Sequence, residues 1–264
     1  MPARTPAHPF APLALAAALG AMLIATPLAA SDTGSAGTAV GQGSAAPAAL
    51  TTLLPRLQRL APEVDPKVLA LALESAHCAQ TSGAIAAPRR LAVIDYSRPS
   101  TEPRLWVFDL RETRLLYAEH VAHGRNSGEN LAVAFSNRES SHQSSLGLFA
   151  TAETYFGGNG YSLRMDGLEP GINDQARTRA IVMHGAPYVD PDAARRQGRL
   201  GRSFGCPAVR SAVAVPMIDT LKQGQLIFAY YPDREWLANS RFFRCRDLQQ
   251  AGASGRAGSV ALHQ

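Results

Sequence analysis

The chain has 264 residues, 26 Lys+Arg against 21 Asp+Glu, and a formal charge of +5. Charged residues are 18% of it and apolar or aromatic ones 46%, enough to build a core, so wholesale disorder is excluded. No strict Gly period or sustained heptad is present, which excludes collagen and coiled coil. Of the basic residues 24 are Arg and two, Lys67 and Lys222, are Lys. Guanidinium groups suit carboxylates and phosphates, but an Ala- and Arg-rich genome produces the same bias.

In chain order, Arg4 precedes an apolar run from Ala11 to Ala25 that ends in small residues at Ala29, Ala30 and Ser31. This pattern predicts a secretory signal peptide over 1–30, its run too short for the roughly twenty residues of a membrane span. The mature protein is then expected to be exported to the periplasm or cell envelope, without an integral membrane span, and to carry +4 once Arg4 is removed. Residues 31–47 are mostly Gly, Ser, Ala and Thr, with almost no large side chain, and read as a flexible linker. Asp65-Pro66 is a helix start, and Val68, Leu69, Ala72, Leu73 and Ala76 repeat at helical spacing up to Cys78, so 48–88 is expected to be a helical N-terminal segment.

Beyond Pro88 the runs Leu91 to Tyr96, Arg104 to Leu110, Arg114 to His120, Gly147 to Tyr155, Tyr161 to Met165, Arg179 to His184 and Gln225 to Tyr231 predict strands. Arg111-Glu112-Thr113 predicts a hairpin turn, and Pro216 to Lys222 and Asp233 to Phe243 predict helices. The expected fold class is mainly β, with a short N-terminal helical segment and one or two peripheral helices.

Three cysteines in an exported chain leave one thiol over from any single bridge. Cys78 and Cys245 are plausible staples. Cys206 stands instead between Gly205 and Pro207, a loop that presents its side chain. His184 closes the apolar run Ile181-Val182-Met183 and is followed by Gly185, at a strand-to-loop junction. Taken singly, His184 also fits a structural histidine and Cys206 a small buried hydrophobe. Together they offer a thiol and the base that activates it. His123, at the head of a turn-rich stretch through Gly128, fits either a cleft or an ordinary polar loop.

His184-Gly185 followed by Ser203-Phe204-Gly205-Cys206 and Arg210 resembles the L,D-transpeptidase (YkuD-type) catalytic domain. The segments His123 to Gly128, Ser145 to Gly147, Gly160 to Leu163 and Arg199 to Ser203 are similar to its divergent branch of murein L,D-transpeptidase catalytic-domain proteins. The likeness runs from about Leu91 to Tyr231 and departs in two places. Phe204 stands where the wider family has a histidine, and 22 positions separate His184 from Cys206. Phe204 cannot transfer a proton, so His184 would carry the acid–base work alone.

The resemblance implies a catalytic domain over 89–245, with 246–264 as a disordered tail. It implies an acyltransferase in which Cys206 is the nucleophile and His184 its acid and base, acting on the tetrapeptide stems of peptidoglycan through a thioester. Hydrolysis of the same intermediate would make an L,D-carboxypeptidase. Another thiol hydrolase of the wall and a non-catalytic peptidoglycan-binding protein are the alternatives. Gly205 would serve an oxyanion site through its main chain, and Ser203, unless an ordinary turn serine, and Gly185 would support the loop. Five guanidiniums lie within sixteen residues at Arg195, Arg196, Arg199, Arg202 and Arg210, of which Arg202 and Arg210 are expected to bind stem carboxylates. A Cys78–Cys245 disulfide is expected because it leaves Cys206 free. No cofactor, metal or nucleic-acid partner is expected: ligand spacings are absent and aromatics are not interleaved with the basic cluster.

Overall fold

A computed structural model describes residues 50–243. The expected signal peptide, linker and tail, and Cys245, lie outside the described residues. After a 3-10 turn at Leu50–Leu53, α1 (Leu54–Leu60) and α2 (Pro66–Thr81) open the fold. Asp65 caps α2, its carboxylate accepting the Lys67 N–H at 2.7 Å, and Pro66 occupies the first turn, where a missing N–H costs nothing. The apolar stripe of α2 buries Leu69 and Leu73 in one continuous core with Leu57, Leu91, Trp106 and Phe228. Truncating a leucine at such a position to Ala costs about 2–5 kcal/mol.

The strands are β1 (Arg90–Asp95), β2 (Leu105–Asp109), β3 (Arg114–Glu119), β4 (Val121–Ala122), β5 (Gly147–Gly157), β6 (Gly160–Gly167), β7 (Val182–Ala186), β8 (Ala208–Arg210) and β9 (Leu226–Tyr230). The helices α3 (Pro191–Gln197), α4 (Ser211–Leu221) and α5 (Arg234–Asn239) complete the elements used below. Among the described residues the strands form one nine-stranded sheet, in the order β3-β2-β1-β9-β5-β6-β7-β8-β4. Pairings β1/β9 and β7/β8 are parallel and the others antiparallel. The mainly β architecture with peripheral helices is therefore the one expected.

The strand order has a direct consequence. β3 and β4 are the two edges of the sheet, yet only His120 separates them in the chain. The sheet must curl until its edges meet, giving a near-barrel. Arg104, fully buried, seals the seam: its backbone N–H donates to the Glu119 carbonyl at 3.0 Å, and its Nε and Nη2 donate to the Val121 carbonyl at 3.0 and 2.8 Å. Burial lowers the pKa of this guanidinium to about 10, so it stays charged at neutral pH, over the Tyr96 ring at 5.3 Å.

Several elements differ from the sequence expectation. The loop after His184 contains α3, capped by Asp190, which accepts from the Asp192 and Ala193 N–H groups. α4 starts at Ser211, not Pro216, so the proline lies inside the helix and removes one internal hydrogen bond. β4 and β8 are too short to carry a period; β4 forms by pairing with β8, and β8 by pairing with both β4 and β7.

Candidate active site

The Ser203 to Pro207 loop is pinned from both sides. The Ser203 N–H donates to the His123 carbonyl at 3.0 Å, and the Ser203 carbonyl accepts the Arg125 N–H at 2.8 Å. The Ser203 hydroxyl donates to the Cys206 carbonyl at 2.6 Å and accepts the Gly205 N–H at 3.0 Å. Ser144 Oγ donates to the Gly205 carbonyl at 3.1 Å and accepts the Gly124 N–H at 3.0 Å. Gly205 itself sits at φ +123°, and a Cβ there would meet the Gln143 carbonyl at 2.9 Å, so both backbone conformation and space require glycine.

Cys206 is buried and is a free thiol. Its Sγ accepts the Val182 N–H at 3.4 Å and lies 3.7 Å from the Ala180 carbonyl. Burial pushes the thiol pKa up, while the Val182 N–H and the positive charge of Arg179 pull it back down.

His184 lies on β7, paired in parallel with Ala208 of β8 and in antiparallel register with Ser162 of β6. Val182, whose N–H meets the Cys206 sulfur, lies two residues before His184 on β7, and β8, which pairs with β7 in parallel, begins two residues after Cys206. No hydrogen bond joins Cys206 to His184 among the described residues. The imidazole Nδ1 is 3.0 Å from the Gly185 carbonyl, which can only accept; Nδ1 therefore carries the proton and Nε2 is left as the basic nitrogen. Burial lowers the His184 pKa, which keeps the ring neutral at pH 7. Gly185 faces the other way, where a Cβ would come within 2.7 Å of the Ala214 Cβ, so its lack of a side chain lets α4 pack directly behind the histidine.

Both arginines expected to bind substrate are held by carboxylates of the protein itself. Arg210 grips Glu119 with two bonds, Nε to Oε2 at 2.8 Å and Nη2 to Oε1 at 2.6 Å, across the β3/β4 seam. Arg202 donates to Glu129 Oε1 at 2.6 Å and to the Gly128 carbonyl at 2.9 Å. Arg199 shares Glu129, at 2.8 Å. The Gly205 N–H, expected to face an oxyanion, is engaged by Ser203. Among the described residues the Cys206 N–H has no hydrogen-bond partner.

Arg179 escaped the sequence reading. Its Nη1 donates to the Ser136 carbonyl and Ser145 Oγ, both at 2.5 Å, and its Nη2 to the Gln143 carbonyl at 2.7 Å and Ser141 Oγ at 3.1 Å. All these acceptors are neutral, so the half-buried guanidinium keeps its charge uncompensated beside Cys206. The one sequence signal was an arginine opening the otherwise apolar Ile181-Val182-Met183 run. His123, left open above, is buried: its Nδ1 accepts from Arg104 Nη2 at 2.7 Å and its Nε2–H donates to the Gly128 carbonyl at 3.3 Å. Among the described residues no group of three or more His, Cys, Asp or Glu side chains is arranged to hold a metal ion, and no helix is long and apolar enough to cross a membrane.

A near-closed β-sheet that buries a free thiol and presents a neutral histidine one strand away defines a candidate thiol site. The model of the L,D-transpeptidase catalytic domain family matches residues 60–230, and the chain belongs to that family. No curated protein matches the sequence. Among solved structures, the chain is similar to an L,D-transpeptidase from Mycobacterium smegmatis at 15% identity and a TM-score of 0.34, over 54% of this chain and 59% of that one. Mycobacterium tuberculosis L,D-transpeptidase 1 is similar at 12% identity and a TM-score of 0.31, over 54% of this chain and 62% of that one. An L,D-transpeptidase from Stackebrandtia nassauensis is similar at 12% identity and a TM-score of 0.33, over 70% of this chain and 92% of that one. The chain thus spans about three fifths of the length of the two mycobacterial proteins.

Proposed function

We propose that the protein is an exported, cysteine-dependent murein L,D-transpeptidase of the cell envelope that acts on peptidoglycan tetrapeptide stems. The observation that carries this reading is the pair itself: Cys206, free and held against β7 by the Val182 N–H, and His184, two residues further along that strand, with Nε2 available as a base.

In the proposed cycle His184 Nε2 takes the proton of the Cys206 thiol, and the thiolate attacks the carbonyl carbon between the third and fourth stem residues. The developing oxyanion is met by the Cys206 N–H, since Ser203 occupies that of Gly205. The C–N bond breaks, the imidazolium returns its proton to the departing amine, and D-alanine leaves behind a thioester. The amine of a second stem then attacks the thioester, forming a new amide and restoring the thiol. Phe204 takes no part in proton transfer, so His184 serves both half-reactions. Ser203 acts through the loop, by fixing the Cys206 carbonyl and hence the direction of its thiol.

Muropeptide analysis after incubation with tetrapeptide-rich murein tests the reading. Wild type is expected to form cross-linked or exchanged products that Cys206→Ala does not. Products of hydrolysis alone would make the enzyme a carboxypeptidase, and an unchanged murein that is nevertheless bound would make it a binding protein.

A further inference from the structure

We propose that Arg125, Phe204 and His142 form a subsite that binds a carboxylate of the peptide ligand on the outer side of the Cys206 loop. The proposal rests on the stem-peptide reading above and names where one of the stem's charges is held.

Charge and ring contact together point to Arg125. Of the arginines around the loop, Arg195, Arg199, Arg202 and Arg210 are each neutralised by Asp192, Glu129 or Glu119, and Arg179 spends its donors on neutral acceptors; Arg196 of α3 pairs with no carboxylate among the described residues, but no ring contact holds it either. Arg125 is exposed and has no carboxylate partner among the described residues. Its guanidinium nonetheless has two contacts: the carbon centre lies 4.7 Å from the Phe204 ring centroid, and Nη2 is 3.1 Å from His142 Nδ1. A planar fork lying on an aromatic face, with one N–H spent on a neutral nitrogen, has remaining donors that meet no partner among the described residues. That pre-orients it for the two oxygens of a carboxylate.

Phe204 explains itself in the same arrangement. It is 63% exposed, two residues before the thiol, where an apolar ring contributes nothing to the core. It packs instead against the Arg125 guanidinium and against the His142 ring at 4.8 Å, which also touch each other. His142 holds φ +54°, a strained setting for a residue with a side chain, and strain of this kind concentrates at ligand clamps. The cluster is also rigidly coupled to the thiol loop, through the Arg125 N–H to Ser203 carbonyl bond and the Asn126 N–H to His142 carbonyl bond at 3.2 Å. A ligand carboxylate on Arg125 would therefore be referred directly to the position of Cys206. The arrangement also gives the histidine-to-phenylalanine change in the loop a use: the ring that cannot move a proton orients the cation.

The test is binding of a murein stem tetrapeptide to the Cys206→Ser protein by titration calorimetry, with the same peptide amidated in turn at each of its carboxylates. Arg125→Gln in that background is expected to weaken the free acid roughly tenfold, the scale of one charged hydrogen-bonded contact, and to leave one of the amidated peptides unaffected. The unaffected peptide identifies which carboxylate is held. Phe204→Ala is expected to weaken the free acid in the same selective way by releasing the guanidinium. Equal affinities with and without Arg125, a loss common to every amidated form, or no binding of the peptide by Cys206→Ser would overturn the subsite. Selective binding in a wild type that converts no stem would leave the subsite standing and remove the transpeptidase reading.

Discussion

The amide N–H of Val182 and the thiol of Cys206 meet across 3.4 Å, so the strand that carries His184 also holds the sulfur. Burial opposes ionisation of that sulfur, and Arg179 is the charge that counters it. Replacing Arg179 with Gln should slow alkylation of Cys206 by iodoacetamide near pH 7 by a factor on the order of ten and shift its pH profile upward, as loss of one nearby opposite charge does. Arg179→Lys should recover part of the rate. An identical alkylation profile in wild type and Arg179→Gln would remove Arg179 from the site.

Arg210 and Glu119 join β8 to β3 across the seam of the sheet. Arg210→Ala leaves the Glu119 side chain, 10% exposed, without its partner, and should cost about 1–3 kcal/mol in urea unfolding. The KM for stem peptides should change less than about twofold, the noise expected of a residue that does not touch substrate. A raised KM at unchanged stability would return Arg210 to the substrate-binding role expected from the sequence.

His123 makes stability depend on pH. Burial, reinforced by the Arg104 charge, lowers its folded pKa to about 4, against about 6.5 in an unfolded chain. The unfolded state therefore binds a proton that the folded state refuses, and stability falls as pH drops from about 6.5 toward 4, by about 3 kcal/mol in total. Burial lowers His184 and His120 as well, with the same sign. Urea unfolding at pH 7 and pH 4.5 should show the loss, and His123→Gln should shrink the difference between the two. An unchanged difference would assign the pH dependence to other groups.

Cys78 is buried on α2 and disulfide-bonded, and Cys206 is free. We propose the bridge to be Cys78–Cys245. Non-reducing peptide mapping should recover those two peptides joined and Cys206 alone, and reduction should cost about 2–4 kcal/mol. Finding Cys206 in a bridge would remove both the pairing and the nucleophile.

The parts of this protein legible in its sequence are those whose cause is local. Seven strands declared themselves by β-type runs, α2 by Asp65-Pro66 and a helical stripe, and His184 and Cys206 by the glycines beside them. The seam was not legible, because it depends on Glu119 and Val121 meeting Arg210 and Arg104 from distant segments. Arg202 and Arg210 drew attention as a cluster of positive charge, and only the fold brings Glu129 and Glu119 to them. Arg179 went unnoticed for the converse reason: its acceptors lie at Ser136, Ser141, Gln143 and Ser145, more than thirty residues away. β4 and β8, of two and three residues, are too short for any period to show.

The central claim is that Cys206 accepts the acyl group and His184 moves the proton. Rapid-quench intact-protein mass spectrometry with a murein tetrapeptide tests it most directly. Wild type should gain the mass of the stem peptide less D-alanine, on the peptide containing Cys206. Cys206→Ala should gain nothing, and His184→Gln should acquire the adduct at least about a hundredfold more slowly, the usual cost of losing a general base. Product formed by Cys206→Ala, or an adduct mapped to any other residue, would contradict the account.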